Sequence, residues 1–267
     1  MMSKRVAIRI DDHVAEVMLN RPEKFNAVDL EMFHALDEAA RSLEGEPSLR
    51  AVVLHGAGEN FCAGIDIASV QGNEDLAAAL LEPVRGSAAN IFQRAAYAWR
   101  ELPVPVICAL QGVTFGAGFQ IAIGADLRYA APGAQFSIME SKWGLIPDMA
   151  ISATLRDILP PDRVKELAWT ARVFAAPEAL QWGLVTAIED DPLAAARKMA
   201  RAICGRSPDA VRGIKCLVNE AWQRAEQDAL ALEAQLQLRV LGAPNQAEAV
   251  RANLEKREPH FVDRPAR

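Results

Sequence analysis

Pro103-Val104-Pro105-Val106-Ile107-Cys108-Ala109-Leu110 runs into Gln111-Gly112-Val113-Thr114-Phe115-Gly116-Ala117-Gly118-Phe119-Gln120-Ile121-Ala122. The first part is a β-rich apolar run and predicts a strand between Pro103 and Leu110. A glycine-rich turn follows, and a small-residue helix leaves it. Glycine there lets backbone approach a ligand closely. Two carboxylates come next, in Gln135-Phe136-Ser137-Ile138-Met139-Glu140 and in Trp143-Gly144-Leu145-Ile146-Pro147-Asp148.

A glycine turn between strand and helix has several uses. Gly116-Ala117-Gly118 lacks the third glycine of a dinucleotide fingerprint, and no Gly-Lys-Ser/Thr of a phosphate loop is present. The remaining chemistry is that of the free N–H groups of a helix start, which stabilise a developing oxyanion. Phe61-Cys62-Ala63-Gly64-Ile65-Asp66 offers a second glycine-flanked N–H after another strand. On the residues alone, both read in the first place as close-packed turns.

Working outward, the N-terminal half reads as ββα and then further strand–helix units. Val6–Ile10 and Val14–Leu19 predict strands around a turn at Asp11-Asp12-His13, and Asp29 predicts the N-cap of a helix from Leu30 to Leu43. Leu36, Ala40 and Leu43 share one face with Leu30 and Phe33, and Gly45 and Pro47 end the helix. Leu49–His55 predicts a buried strand, and residues from Asp75 to Glu101 a helical stretch broken near Pro83 and Gly86. Leu127–Ala130, Gln135–Met139 and Leu184–Ile188 predict strands; Ala150–Ile158, Asp162–Thr170 and Pro177–Gln181 predict helices. From Pro192 onward the chain reads as helical, with breaks at Gly205–Pro208 and Gly242–Asn245. The fold class is α/β, with residues 1–190 as core and residues 191–267 as a helical C-terminal region.

Bulk properties exclude some functions. The formal charge of −6 argues against a nucleic-acid partner, which calls for a basic footprint. No apolar run reaches the roughly 18 residues of a membrane span. Cys62, Cys108, Cys204 and Cys216 lie far apart, and His13, His34, His55 and His260 show no metal spacing, so no metal is expected. Met1–Arg5 leads straight into a strand without an apolar signal core, and Arg264-Pro265-Ala266-Arg267 is no peroxisomal address; the expectation is cytoplasmic.

Five motifs in order resemble the crotonase, or enoyl-CoA hydratase/isomerase, superfamily. They are Asn20-Arg21-Pro22-Glu23-Lys24-x-Asn26-Ala27, Phe61–Asp66, Gly112-x-x-x-Gly116-Ala117-Gly118, Glu140 with Gly144-Leu145-Ile146-Pro147, and Ala176-Pro177-Glu178-Ala179-Leu180-x-x-Gly183-Leu184-Val185. Glu255-Lys256-Arg257 also resembles the family's tail. The resemblance implies a ββα spiral with a helical trimerisation region, a homotrimer or a homohexamer of two trimers, and a coenzyme A thioester as substrate. It implies no cofactor beyond that coenzyme A. By motif position, the N–H groups of Ile65 and Ala117 would form the oxyanion hole, with Ala117 standing where the family commonly has glycine. Asn26, Ala27, Ala63, Gly64, Asp66 and Ile67 would lie along coenzyme A, with Lys24, Lys256 and Arg257 as candidates for its phosphates.

Hydratases of the family carry two glutamates; here the first position is Gln120 and the second Glu140. Glutamine orients but does not titrate. Concerted addition of water therefore lacks one of its two proton-transfer groups, whereas double-bond isomerisation needs only one base, Glu140. Asp148 matches the aspartate of family members that shift conjugated dienes, and it reads equally as a helix N-cap after Pro147. Glu140 has a structural reading too, paired with Lys142 or Arg156. Trp143 is read as lining the acyl pocket or the core, and Cys62 as a small packing residue. The alternatives to an isomerase or hydratase are an acyl-CoA-binding protein with little turnover, and a thioester hydrolase using a Glu140-activated water.

Overall fold

The computed structural model describes residues 5–70 and 76–265. The sequence readings at Met1–Lys4, Asp75 and residues 266–267 lie outside them. Strands β1 (Val6–Asp11) and β2 (Val14–Leu19) form an antiparallel hairpin, with Asp11 paired to Val14. The intervening Asp12 and His13 both take left-handed φ, at 44° and 66°, which suits a tight two-residue hairpin. Helix α1 (Leu30–Glu44) starts as expected, with the Asp29 carboxylate accepting the Met32 N–H at 2.9 Å. Strand β3 (Ala51–Gly56) then lies parallel to β2.

Two short helices, α2 (Ile67–Val70) and α3 (Leu76–Leu81), precede α4 (Ile91–Glu101), and the break falls around Pro83 and Gly86 as predicted. A reciprocal capping box between Asn90 and Gln93 starts α4. Strand β4 (Val106–Leu110) begins three residues later than Pro103, its two flanking prolines staying outside the ladder. A further strand, β5 (Val113–Phe115), separates it from helix α5 (Ala117–Ile123). At three residues β5 is too short to show an alternation, and the sequence reading folded it into the turn.

Strands β6 (Leu127–Ala130) and β7 (Gln135–Ser137) repeat that pattern, and a 3-10 turn from Glu140 to Trp143 takes the place of a full helix. Helices α6 (Ile151–Thr154) and α7 (Pro161–Thr170), the short strand β8 (Phe174–Ala175), α8 (Ala176–Gln181) and β9 (Ala187–Ile188) complete the sheets. The order is β1-β2-β3-β4-β6-β9 in one sheet and β5-β7-β8 in the other. β1, β2 and β3 all join the larger sheet, whereas the pairs β4–β5, β6–β7 and β8–β9 each give one strand to each sheet, and the chain advances as a spiral.

The main core lies between the sheets and their inner helices, around fully buried Trp99, Phe33, Phe61, Phe119 and Phe136. Helix α9 (Pro192–Cys204) covers the far face of the larger sheet over Ala51, Val53, Ile107 and Ala109. Helices α10 (Pro208–Ala221), α11 (Glu226–Val240) and α12 (Pro244–Glu255) follow, with an unpredicted break between α10 and α11. Buried Lys215 on α10 ties this tail to the core, its Nζ donating to Trp99 O, Val104 O and Asp126 Oδ2 at 2.7–2.9 Å.

One close approach sets α5 against the segment that follows β3. A Cβ on Gly118 would stand 2.5 Å from Cys62 O and 2.6 Å from Cys62 Cβ, both held by rigid backbone. Gly118→Ala is therefore expected to cost about 1–3 kcal/mol of stability. Urea denaturation should show a lower midpoint at an unchanged slope.

Candidate active site

Parallel pairing collects the site at one edge. Strand β5 pairs with β7 in parallel, so Gly116 and Ala117 leave one strand beside the segment that carries Glu140 from the other. Gly116 N–H donates to Ser137 O at 3.0 Å, and a Cβ on Gly116 would stand 3.5 Å from Glu140 Oε1. Cys62 bridges Thr114 in parallel, which brings the turn after β3 to the same edge.

That turn is built around Gly64, whose φ of +104° disfavours any side chain. A Cβ there would meet Phe115 O at 3.1 Å and lie 3.9 Å from Ala117 N. On its other side the turn forms a parallel bridge, with Val28 N–H donating to Gly64 O and Asp66 N–H to Val28 O. Ile65 sits between those two bonds, so its own N–H points away from Val28. Neither the Ile65 nor the Ala117 N–H has a hydrogen-bond partner among the described residues. For Ala117 the reason is general: it is the first residue of α5, and the first N–H groups of a helix have no partner within it.

Glu140 and Gln120 meet in the interior, only 7% and 1% exposed. Gln120 Nε2 donates to Glu140 Oε1 at 2.6 Å, and Gln120 Oε1 accepts the Met149 N–H at 2.8 Å. Glu140 Oε2 is buried with no hydrogen-bond partner among the described residues. Burial pushes the Glu140 carboxyl above its ordinary value; its own backbone N–H and then the Gln120 hydrogen bond pull it down, and the neighbouring Asp148 pushes it up again. Asp148 is half-buried, and burial raises it likewise.

Several sequence readings change here. The N-cap of α6 is Ala150, in left-handed conformation and with no side-chain cap, so Asp148 is not the helix cap. No ion pair joins Glu140 to Lys142 or Arg156 among the described residues; its partner is Gln120. Trp143 is 56% exposed and lies outside the core. The reading of Cys62 does not change: it is a buried packing residue whose thiol burial raises to about 12, far from a usable thiolate.

The coenzyme A candidates fall into two groups. Asn26, Ala27, Ala63, Gly64, Asp66 and Ile67 share one locked segment: Ala63 N–H donates to Phe25 O, and Arg21 pairs with Asp66 at 2.8 Å and with Asp29 at 3.6 Å. The Asn26 side chain is consumed within it, donating to Ala57 O and Asn60 O and accepting from Arg21 N. Lys24 sits on an exposed 3-10 turn at one end of this segment. Lys256 is the left-handed cap of α12, and no hydrogen bond or ion pair joins it to another candidate. Arg257 is drawn back onto Glu248 and Glu255, both at 2.6 Å. The sequence reading missed Arg21 as the clamp of this segment, although Arg21 stands inside its first motif. It also missed the Met149 N–H, which carries no side-chain signal.

A sequence profile described as enoyl-CoA hydratase/isomerase matches residues 9–264. The 1,2-epoxyphenylacetyl-CoA isomerase of Escherichia coli K12 is 31% identical over 98% of this chain and 99% of its own. A peroxisomal Delta(3,5)-Delta(2,4)-dienoyl-CoA isomerase of Arabidopsis thaliana is 30% identical over 94% of each chain. Among solved structures, an enoyl-CoA hydratase from Bacillus anthracis superposes with a TM-score of 0.88 at 28% identity, over 96% of this chain and 98% of that one. The expected ββα-spiral fold is thereby shared.

Proposed function

This chain belongs to the enoyl-CoA hydratase/isomerase family, and on that premise we propose that it moves a double bond in an unsaturated acyl-CoA by proton transfer. The observation that carries this reading is Gln120. It occupies the place of a second proton-transfer carboxylate, and its amide is committed to Glu140 and to the Met149 N–H. One base is left beside the glycine turn, and isomerisation needs one.

In the proposed reaction the thioester oxygen accepts from the N–H groups of Ile65 and Ala117. Glu140 takes a proton from the carbon next to the carbonyl, and the electron pair moves onto that oxygen as an enolate conjugated with the existing double bond. A proton then returns two carbons further on, from Glu140 itself, and the double bond ends conjugated with the carbonyl. For a 3,5-diene, Asp148 supplies the proton at the distal carbon while Glu140 works at the near one. Coenzyme A enters as part of the substrate, held along residues 63–67 and at Lys24. The proposal includes a cytoplasmic setting and a trimer or hexamer; exposed Ile214, Val218, Trp222, Leu238 and Leu254 on the helical tail support the latter.

The test is a panel of 2-enoyl, 3-enoyl and 3,5-dienoyl thioesters. Isomerisation of the 3-enoyl or dienoyl compounds should exceed hydration of the 2-enoyl ones. Faster hydration overturns the reading, release of free thiol points to a hydrolase, and binding without turnover to a scaffold. The pH profile gives a second check. Glu140 acts ionised, and its value is raised, so kcat/KM should fall as pH drops through a point above the ordinary glutamate value.

A further inference from the structure

We propose that Gln120 is a positioning residue: it selects which oxygen of Glu140 takes the proton and holds that carboxylate in register with the Asp148 segment. The proposal rests on the proton-transfer reading above, and it concerns geometry that exists before substrate binds.

The direction of the Gln120 amide is dictated by its surroundings. A backbone N–H can only donate, so the Met149 N–H fixes the amide oxygen on its own side at 2.8 Å. The NH₂ group is thereby turned to Glu140 Oε1, 2.6 Å away. One oxygen of the carboxylate is then engaged. The other, Oε2, is buried and has no partner among the described residues, which leaves it as the basic atom. An unpartnered buried carboxylate oxygen has a cost in a folded protein, and it persists where another group is to meet it.

The same amide ties three parts of the site together. Gln120 lies one helical turn beyond Ala117 on α5, so the residue that grips Glu140 is built on the helix that presents the oxyanion donor. Met149 directly follows Asp148, so the hydrogen bond to its N–H fixes the peptide next to the second carboxylate. A glutamate at position 120 would place two carboxylates at that 2.6 Å separation, and they would have to share a proton. Glutamine keeps the contact and leaves Glu140 free to ionise. A methionine of similar length would fill the space without either hydrogen bond.

Asp148 is the charged group that bears electrostatically on Glu140. Helix α5 brings no ionisable residue. Lys142, on the same 3-10 turn, is exposed, and α7, packed against that turn, carries Asp162, Arg163, Lys165 and Glu166. Of these, Glu166 is paired with Arg163 and Arg172.

The experiment compares Gln120→Met and Gln120→Glu with the unaltered protein. The Glu140 carboxyl is titrated by carbon-13 NMR of labelled glutamate, its signal assigned by its loss in Glu140→Gln. Exchange of the Met149 amide is measured alongside. Gln120→Met should raise the Glu140 midpoint by about one pH unit, the size expected for losing a hydrogen bond to a charged acceptor. It should also speed Met149 exchange by about tenfold or more. On whichever thioester the panel identifies, the acid limb of kcat/KM should move up with the midpoint while KM changes little. Gln120→Glu should raise the midpoint further. It can still accept from Met149, so it should leave Met149 exchange unchanged, and it carries the midpoint test if the methionine variant does not fold. An unmoved Glu140 midpoint in either variant, or unchanged Met149 exchange in Gln120→Met, overturns the proposal. Both readouts need no substrate, so a protein that turns over none of the panel refutes the isomerase reading and leaves this one to be judged separately.

Discussion

Glu140→Gln is expected to lower kcat for isomerisation of a 3-enoyl-CoA by about 10²–10⁴, the usual worth of a positioned proton-transfer group. Binding should change little, because the amide is isosteric and its oxygen can still accept from Gln120 Nε2. Stability supplies the control. The folded-state carboxyl is held above its ordinary value by burial, so the folded protein loses stability as pH rises above the unfolded value. The uncharged amide escapes that loss. Glu140→Gln should therefore unfold no more readily than the unaltered protein at pH 8, and a drop in kcat cannot be assigned to unfolding. Steady-state kinetics and thermal denaturation on one preparation check both. Turnover that survives the substitution removes Glu140 from the mechanism.

Ala117→Pro should remove one oxyanion donor and lower kcat by about 10²–10³. Proline is well tolerated at the first position of a helix, where the missing N–H has no helical partner anyway. Ala117 occupies that position in α5, and Gly116 before it has the freedom to precede a proline. The substitution deletes the donor and crowds the place where the thioester oxygen is proposed to sit. Ala117→Gly keeps the N–H and should stay within a few-fold of the unaltered rate, which separates the donor from the side chain. Equal rates for the proline and glycine variants would exclude an oxyanion role for this N–H.

How much of this was legible in the chain follows from the range of each interaction. The Asp29 cap was readable because a cap and the N–H it satisfies lie three residues apart. The same rule applied to Asp148 failed: the chain turns left-handed at Ala150 and starts α6 two residues later than a cap at 148 requires. The paired carboxylates, the glycine turns and their order were legible as motifs. That Asn26 serves its own loop was not, since its amide acts on Ala57 and Asn60, more than thirty residues away. Nor did periodicity show the anchor of the helical tail. Lys215 reads as an ordinary exposed lysine of an amphipathic helix, yet it is buried against carbonyls and a carboxylate of the core.

By itself the sequence determined most of the strands, helices and turns and the family they belong to, because side-chain period, capping and glycine conformation act within a few residues. It also determined that position 120 does not titrate. What only the tertiary structure decided is what Gln120 does instead. Its two partners lie 20 and 29 residues further along the chain, and a backbone N–H that no residue name reveals sets the direction of its amide.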